Sequence, residues 1–263
     1  SSRIDGRGEG RAFFIAPTAS VTFTHVAFVN GDAATDTSNG NIGGGIYADS
    51  GSTVVLNESP ICQNTAEDGG GIYGDTGSNV TLNGAQSGAC RVFLYMKVQP
   101  GGVLVPVYAT FAGNEASSDG GGAYLAGTFL INNYGLEINT AVNNGGGVYA
   151  TGNGEMINTV FLLNEAGGDG AGIYNSGSPN VYHNTIVGNI AGGSGGGIKD
   201  VGTLTVNSSI VYTNTGVASG VDDGGISGAD TLSHNLFYDN APAQTTNGTA
   251  AILADPQLYG FVN

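Results

Sequence analysis

Apolar and polar residues alternate along this chain in short bursts, each closed by glycine, asparagine or serine. In "TLTVN" (Thr203 to Asn207) Leu204 and Val206 face one side and Thr205 the other, and Val80 and Leu82 flank Thr81 in the same way. Alternation with period two is the pattern of half-buried strands. The stretch from Gly195 to Asn214 divides into "GGGIKD", "TLTVN" and "SSIVYTN", which predicts three short strands joined by turns.

These bursts recur at a fixed interval. The phrase "GGGIY" begins at Gly43 and Gly69, "GGGAY" at Gly120, "GGGVY" at Gly145, "GAGIY" at Gly170 and "GGGIK" at Gly195, the last three steps being 25 residues each. A second landmark keeps the same register: Asn114, Asn139, Asn164, Asn189 and Asn214 are also 25 apart, Asn64 is read as two periods earlier, and Asn240 follows at 26. Such a period indicates stacked structural repeats. With three strands per turn it predicts an all-β, right-handed, three-sheet parallel β-helix of about ten coils, each roughly 4.8 Å above the last. The reading treats residues 1–263 as a single β-helix domain in which Gly84 to Tyr108, where the glycine phrase is missing, forms an irregular or decorated coil.

Stacked corners explain the composition. Glycine supplies 48 of 263 residues while apolar residues still reach 40%, enough to fill a core. Glycine admits positive φ at a corner, and asparagine tolerates it while its amide can bond to the asparagine of the next coil. A second asparagine column is read at Asn57, Asn83, Asn132, Asn158, Asn184, Asn207 and Asn235.

The net charge of -15 disfavours binding to nucleic acid and to anionic membranes. No apolar run is long enough to span a bilayer, so direct membrane insertion is not expected. The opening "SSRIDGRGEGRAFF" does not read as a secretory signal, and few lysines with abundant Asn, Thr, Ser and Gly suit an extracellular or cell-surface protein whose signal has been removed.

The pairing of "GGGI" with "FAGN", "FLLN" and "FYDN" (Phe111 to Asn114, Phe161 to Asn164, Phe237 to Asn240) resembles the GGA[ILV] and FxxN motifs of polymorphic outer-membrane protein passengers. The opening "RIDGRGEGRAFFIAPTASVTFTHVAFVNG" also looks like bacterial right-handed β-helix surface proteins. The resemblance covers most of the chain outside Gly84 to Tyr108 and implies a structural or adhesive surface protein. Because both ends read as mid-helix sequence, end-to-end assembly of copies into filaments, or excision from a longer passenger, is an expectation.

Polysaccharide lyases and glycoside hydrolases share this architecture and supply the alternative. The paired acidic motifs and GHG histidine of the hydrolases are absent, and only Arg91 and Lys97 place basic side chains together in an unusual segment. No catalytic residue is assigned. Tyr47, Tyr73, Tyr124, Tyr149 and Tyr174 each follow the inward residue of the glycine strand, so they should form an outward column, stacked for stability or serving as a carbohydrate-binding ribbon. Partners in keeping with this are surface glycans, a neighbouring or host cell surface, and other copies of the chain. Asp68, Asp119 and Asp169 precede the glycine phrase; no cofactor is expected, with Ca²⁺ on this ridge the alternative to simple turn capping. His25, His183 and His234 are read as structural corner residues, partly inward. Cys62 and Cys90, 28 residues apart and read as one coil apart, form a disulfide or remain free.

Overall fold

The computed structural model describes residues 2–36, 39–84, 90–96, 103–109, 111–217, 225–228, 231–241 and 252, with backbone alone over 91–96 and 103–109. The chain winds as a parallel β-solenoid of about eight turns. One complete turn comprises Ile173–Asn175, Asn180–Tyr182, Thr185–Val187 and Ile190–Ala191, after which Ile198–Asp200 returns above the first of these in parallel register.

Each turn therefore feeds four ladders, where the sequence pattern predicts three. The tyrosine sheet runs from Phe13–Ile15 through Ile173–Asn175 to Ile226–Ser227. The long sheet runs from Ser20–Thr24 to Thr231–Ser233 and contains the five-residue strands Thr53–Asn57, Asn79–Asn83 and Thr128–Asn132. The phenylalanine sheet runs from Ser2–Asp5 to Leu236–Tyr238, and the short alanine sheet from Thr65–Ala66 to Thr215–Gly216. The segment read as "SSIVYTN" and its continuation split at Thr213, whose φ of 50° breaks the strand in two.

Left-handed residues make the corners, and glycine fills one set of them throughout while other residue types dominate the two described next. Between the long and phenylalanine sheets stand His25, Glu58, Asn133, Asn158, His183, Ser208 and His234, all at positive φ. Between the phenylalanine and alanine sheets stand Asn30, Gln63, Gly113, Ile138, Leu163, Gly188, Thr213 and Asp239. Glycine is obligatory where the alanine sheet gives way to the tyrosine sheet. Gly145 has φ 68°, and a Cβ on Gly146 would collide with the Glu165 carbonyl of the next coil. Stacked main chains approach too closely there for any side chain.

The interior is a continuous apolar column. Ile46, Ile72, Ala123, Val148, Ile173 and Ile198 enter from the tyrosine sheet, Phe28, Ile61, Phe111, Leu136, Phe161, Ile186, Val211 and Phe237 from the phenylalanine sheet, and all are fully buried or nearly so. Burial of this kind supplies roughly 25 cal/mol per Å².

Gly84 to Tyr108 is not an additional coil. Asn79–Asn83 ends on the long sheet, an antiparallel hairpin of Cys90–Met96 and Val103–Ala109 leaves the solenoid, and Phe111–Ala112 rejoins directly above Ile61–Cys62. The 51 residues from Gly69 to Gly120 thus form one turn plus an excursion, and Asn64 lies one coil from Asn114, not two. This accounts for about eight turns in place of ten. Tyr134 spans the level left by the departing chain: it is fully buried, its hydroxyl donates to the Ser59 carbonyl at 2.8 Å, and its ring meets Phe111 edge-on.

Candidate functional site

Asn64, Asn114, Asn139, Asn164, Asn189, Asn214 and Asn240 form a buried polar ladder along the solenoid. In each step the amide nitrogen donates to Oδ1 of the next asparagine, at 2.9 Å from Asn114 to Asn139 and 3.0 Å from Asn139 to Asn164, and the backbone N–H donates to the same oxygen. The second amide hydrogen reaches a carbonyl of the phenylalanine sheet in the preceding coil, as Asn164 does to Leu136 at 3.0 Å. From Asn64 to Asn214 each backbone N–H and both amide hydrogens are paired, so these buried amides stabilise instead of costing desolvation energy.

The second asparagine column resolves into three positions. Asn57, Asn83, Asn132 and Asn207 are register partners or lie in the same column on the long sheet; Asn158 occupies the left-handed corner; Asn184 and Asn235 lie one residue further on, buried. His25, His183 and His234 share the corner with Asn158 and are exposed, not partly inward. His25 Nε2 lies 3.0 Å from Glu58 Oε2 at the surface.

Aspartate extends the ladder logic to the turn before the glycines. Asp68 Oδ1 accepts the Asp119 N–H at 3.0 Å, Asp119 Oδ1 accepts the Asn144 N–H at 2.9 Å, Asn144 Oδ1 accepts the Asp169 N–H at 2.8 Å, and Asp169 Oδ1 accepts the Ser194 N–H at 2.6 Å. Burial holds the Asp119 carboxyl above its usual pKa, against the opposing bonds from Asn144. Asp68, Asp119 and Asp169 thus act as coil-to-coil acceptors, and among the described residues no three His, Cys, Asp or Glu side chains converge on one point.

Beside this ridge stands the aromatic column. Phe14, Tyr47, Tyr73, Tyr124, Tyr149, Tyr174 and Lys199 are successive register partners on the tyrosine sheet. Tyr73 and Tyr124 stack at 4.7 Å, Tyr124 and Tyr149 at 4.8 Å, and Tyr149 and Tyr174 at 4.8 Å with only 5° between ring planes. Tyr47 departs from the pattern. It is buried, meets Tyr73 edge-on, and places its hydroxyl 3.2 Å from Asp49 and 3.3 Å from Asp75. Burial, reinforced by neighbouring carboxylates, pushes Tyr73 and Tyr149 up to about 12; burial and the adjoining Tyr73 do the same for Tyr124.

Arg11 closes one end of the column. Its guanidinium lies 5.3 Å from the Tyr47 ring centre, pairs with Asp36 at 2.9 Å and donates to the carbonyls of Gly40, Ile42 and Gly43. Nothing local in the sequence marks the distant partners of Arg11. At the other end Lys199 Nζ lies 3.2 Å from Ser227 Oγ.

Cys62 and Cys90 are joined in a disulfide with Cα atoms 6.0 Å apart. Cys90 is not the residue one coil above Cys62; that is Ala112. The bond instead fixes the base of the hairpin to the outer face of the phenylalanine sheet, where Cys62, Cys90 and Ala112 form a small apolar cluster with Val29. On the same face Glu137 was given no role by the sequence, yet burial raises its pKa to about 7 and its Oε2 has no hydrogen-bond partner among the described residues. The basic pair Arg91 and Lys97 lies beyond the described side chains, Lys97 falling outside the described residues altogether.

Two shallow grooves mark the surface. One, of about 280 Å³, is lined by Gly77, Ser78, Gly127, Thr128, Thr151 and Asn153 at the turn from the tyrosine sheet to the long sheet. The other, of about 520 Å³, crosses the alanine sheet, with exposed Val142, Ile190 and Val217 around a floor containing Gly167 and Gly192. Comparison with protein-family models, curated proteins and solved structures returned no match.

Proposed function

We propose that this chain is the solenoid of an extracellular or cell-surface protein with a structural or adhesive role and no catalysis of its own. One observation carries the reading: the side chains best suited to chemistry are engaged in joining coil to coil. The asparagine amides bond to one another, the Asp68 to Ser194 column accepts backbone N–H groups, and the tyrosine faces cover their neighbours. The arrangement favours stiffness along the axis, as in other repeat architectures whose turns contact only adjacent turns.

Three further features support it. A disulfide suits an oxidising compartment. The apolar groove around Val142, Ile190 and Val217 offers a contact patch for a neighbouring surface or another copy. The resemblance to polymorphic outer-membrane protein passengers agrees with display outside the cell.

Protease accessibility of the protein on intact source cells, combined with a polysaccharide panel, tests the reading. Surface cleavage without release of unsaturated or reducing sugars is expected. Turnover of any polysaccharide that is lost in Arg91→Ala would replace it with the lyase alternative. A passive glycan-binding reading is favoured only by the groove at Thr128, Thr151 and Asn153, in which the Thr151 hydroxyl bonds to Tyr124. Glycan-array binding abolished by Asn153→Ala would favour it.

A further inference from the structure

The tyrosine column brings together more than a stabilising stack. From Tyr73 to Tyr174 three consecutive ring pairs lie at 4.7, 4.8 and 4.8 Å with interplanar angles of 14°, 20° and 5°. Parallel register locks each ring over the same ring of the next coil. The carbons ortho to each hydroxyl consequently face their counterparts at about the ring spacing, one coil rise apart. All four tyrosines are half-buried, so the column is partly open to solvent.

We propose that Tyr73, Tyr124, Tyr149 and Tyr174 form a site of oxidative tyrosine coupling, at which a one-electron oxidant of the peroxide-fed haem peroxidase class staples adjacent coils through carbon–carbon bonds. Each phenol of a pair loses one electron and one proton, giving two phenoxyl radicals. The radicals join through their ortho carbons, and the hydrogen on each of those carbons moves to the ring's own oxygen. The pair loses two hydrogen atoms in all, and one hydrogen peroxide is reduced to two waters.

The surroundings suit the proton transfer. Asp68 and Asp119 act electrostatically on Tyr124 and Tyr149, and Asp169 and Asp119 on Tyr174, so carboxylates border the hydroxyl edge along the column. The geometry also selects which tyrosines react. Tyr47 is buried and stands at 73° to Tyr73, so it is excluded. Tyr212 and Tyr238, on the phenylalanine sheet, are near-parallel but 5.7 Å apart and should couple less. Coupling would convert a non-covalent stack into a covalent link between coils.

The test uses the full chain with its disulfide intact, at low concentration, treated with a haem peroxidase and hydrogen peroxide. Dityrosine fluorescence should appear while the chain still migrates as a monomer under denaturing conditions. Peptide mapping should find links, each lighter by two hydrogens, between adjacent members of the column. Tyr149→Phe retains a stacked ring but eliminates two of the three parallel pairs, so emission should fall to roughly one third if the pairs react independently. Tyr174→Phe, at the edge of the column, should leave two pairs and serves if the central variant folds poorly. Tyr182→Phe, on the long sheet, should change nothing. Links found only between chains, oxidised tyrosines without links, or full emission in both column variants would overturn the proposal.

Discussion

Asn164 donates from both its backbone N–H and its side-chain amide to a single oxygen, Oδ1 of Asn189, at 2.9 Å in each case. Asn139 makes the same pair of bonds to Asn164 from the other side. A substitution here therefore unpairs groups in two neighbouring coils. Asn164→Ala should lower stability by about 3 kcal/mol or more, since several buried donors and acceptors lose partners together. Denaturant unfolding checks this, and a loss below that expected for a single hydrogen bond would show that the ladder is not cooperative.

The glycine phrase should be position-specific. Gly146→Ala forces a Cβ against the Glu165 carbonyl, whereas Gly10→Ala enters open space at ordinary φ. Gly146→Ala should reduce the melting temperature severely or prevent soluble expression, while Gly10→Ala leaves it within a degree or two, since surface changes usually stay within about 0.5 kcal/mol. Equal effects would argue against close approach at the glycine corner.

At the corner beside the asparagine ladder the opposite change should help. Ile138 holds φ 56° with a branched side chain, a conformation that costs L-residues about 1–2 kcal/mol. Ile138→Asn should raise stability by about 0.5 kcal/mol or more, because asparagine tolerates this region. Thermal unfolding would reveal it.

Much of this was legible in the chain. The 25-residue step and the alternation specify stacked parallel strands, and the column from Tyr73 to Tyr174 follows from the phase of alternation within the glycine strand. The number of turns was not legible, because the hairpin excursion fills nearly one period: 51 residues from Gly69 to Gly120 read as two coils. Only pairing of Phe111 with Ile61 distinguishes a decorated turn from an extra one. Ile138 and Leu163 gave no sign of left-handed backbone, since neither residue type prefers it and the surrounding ladder imposes it. Tyr134 and Arg11 act on residues far away in sequence, which periodicity does not register.

Tyr134 makes the excursion testable. Tyr134→Phe keeps the ring against Phe111 but leaves the Ser59 carbonyl without the 2.8 Å bond, which should cost about 1 kcal/mol, or up to about 3 if no water replaces it. No loss would mean that the hydroxyl does not bridge the departing chain.

Glu137 should make stability fall as pH rises. Burial raises its folded pKa to about 7 from 4.5, so the native state binds more protons than the unfolded state between those values. By linkage this group's stabilising contribution is full below 4.5, declines from 4.5 upward and is lost above about 7. Glu137→Gln should flatten that part of the profile, measured as melting temperature against pH. A variant with the wild-type slope would assign the dependence elsewhere.

The most direct measurement is the distance between spin labels at Thr65 and Thr215, both exposed on the alanine sheet. Six strands in direct succession give five spacings, about 24 Å between backbone positions at 4.7–4.9 Å each, with one narrow population. A broad distribution, or a separation near 29 Å as an additional coil between Asn64 and Asn114 would require, would contradict the account.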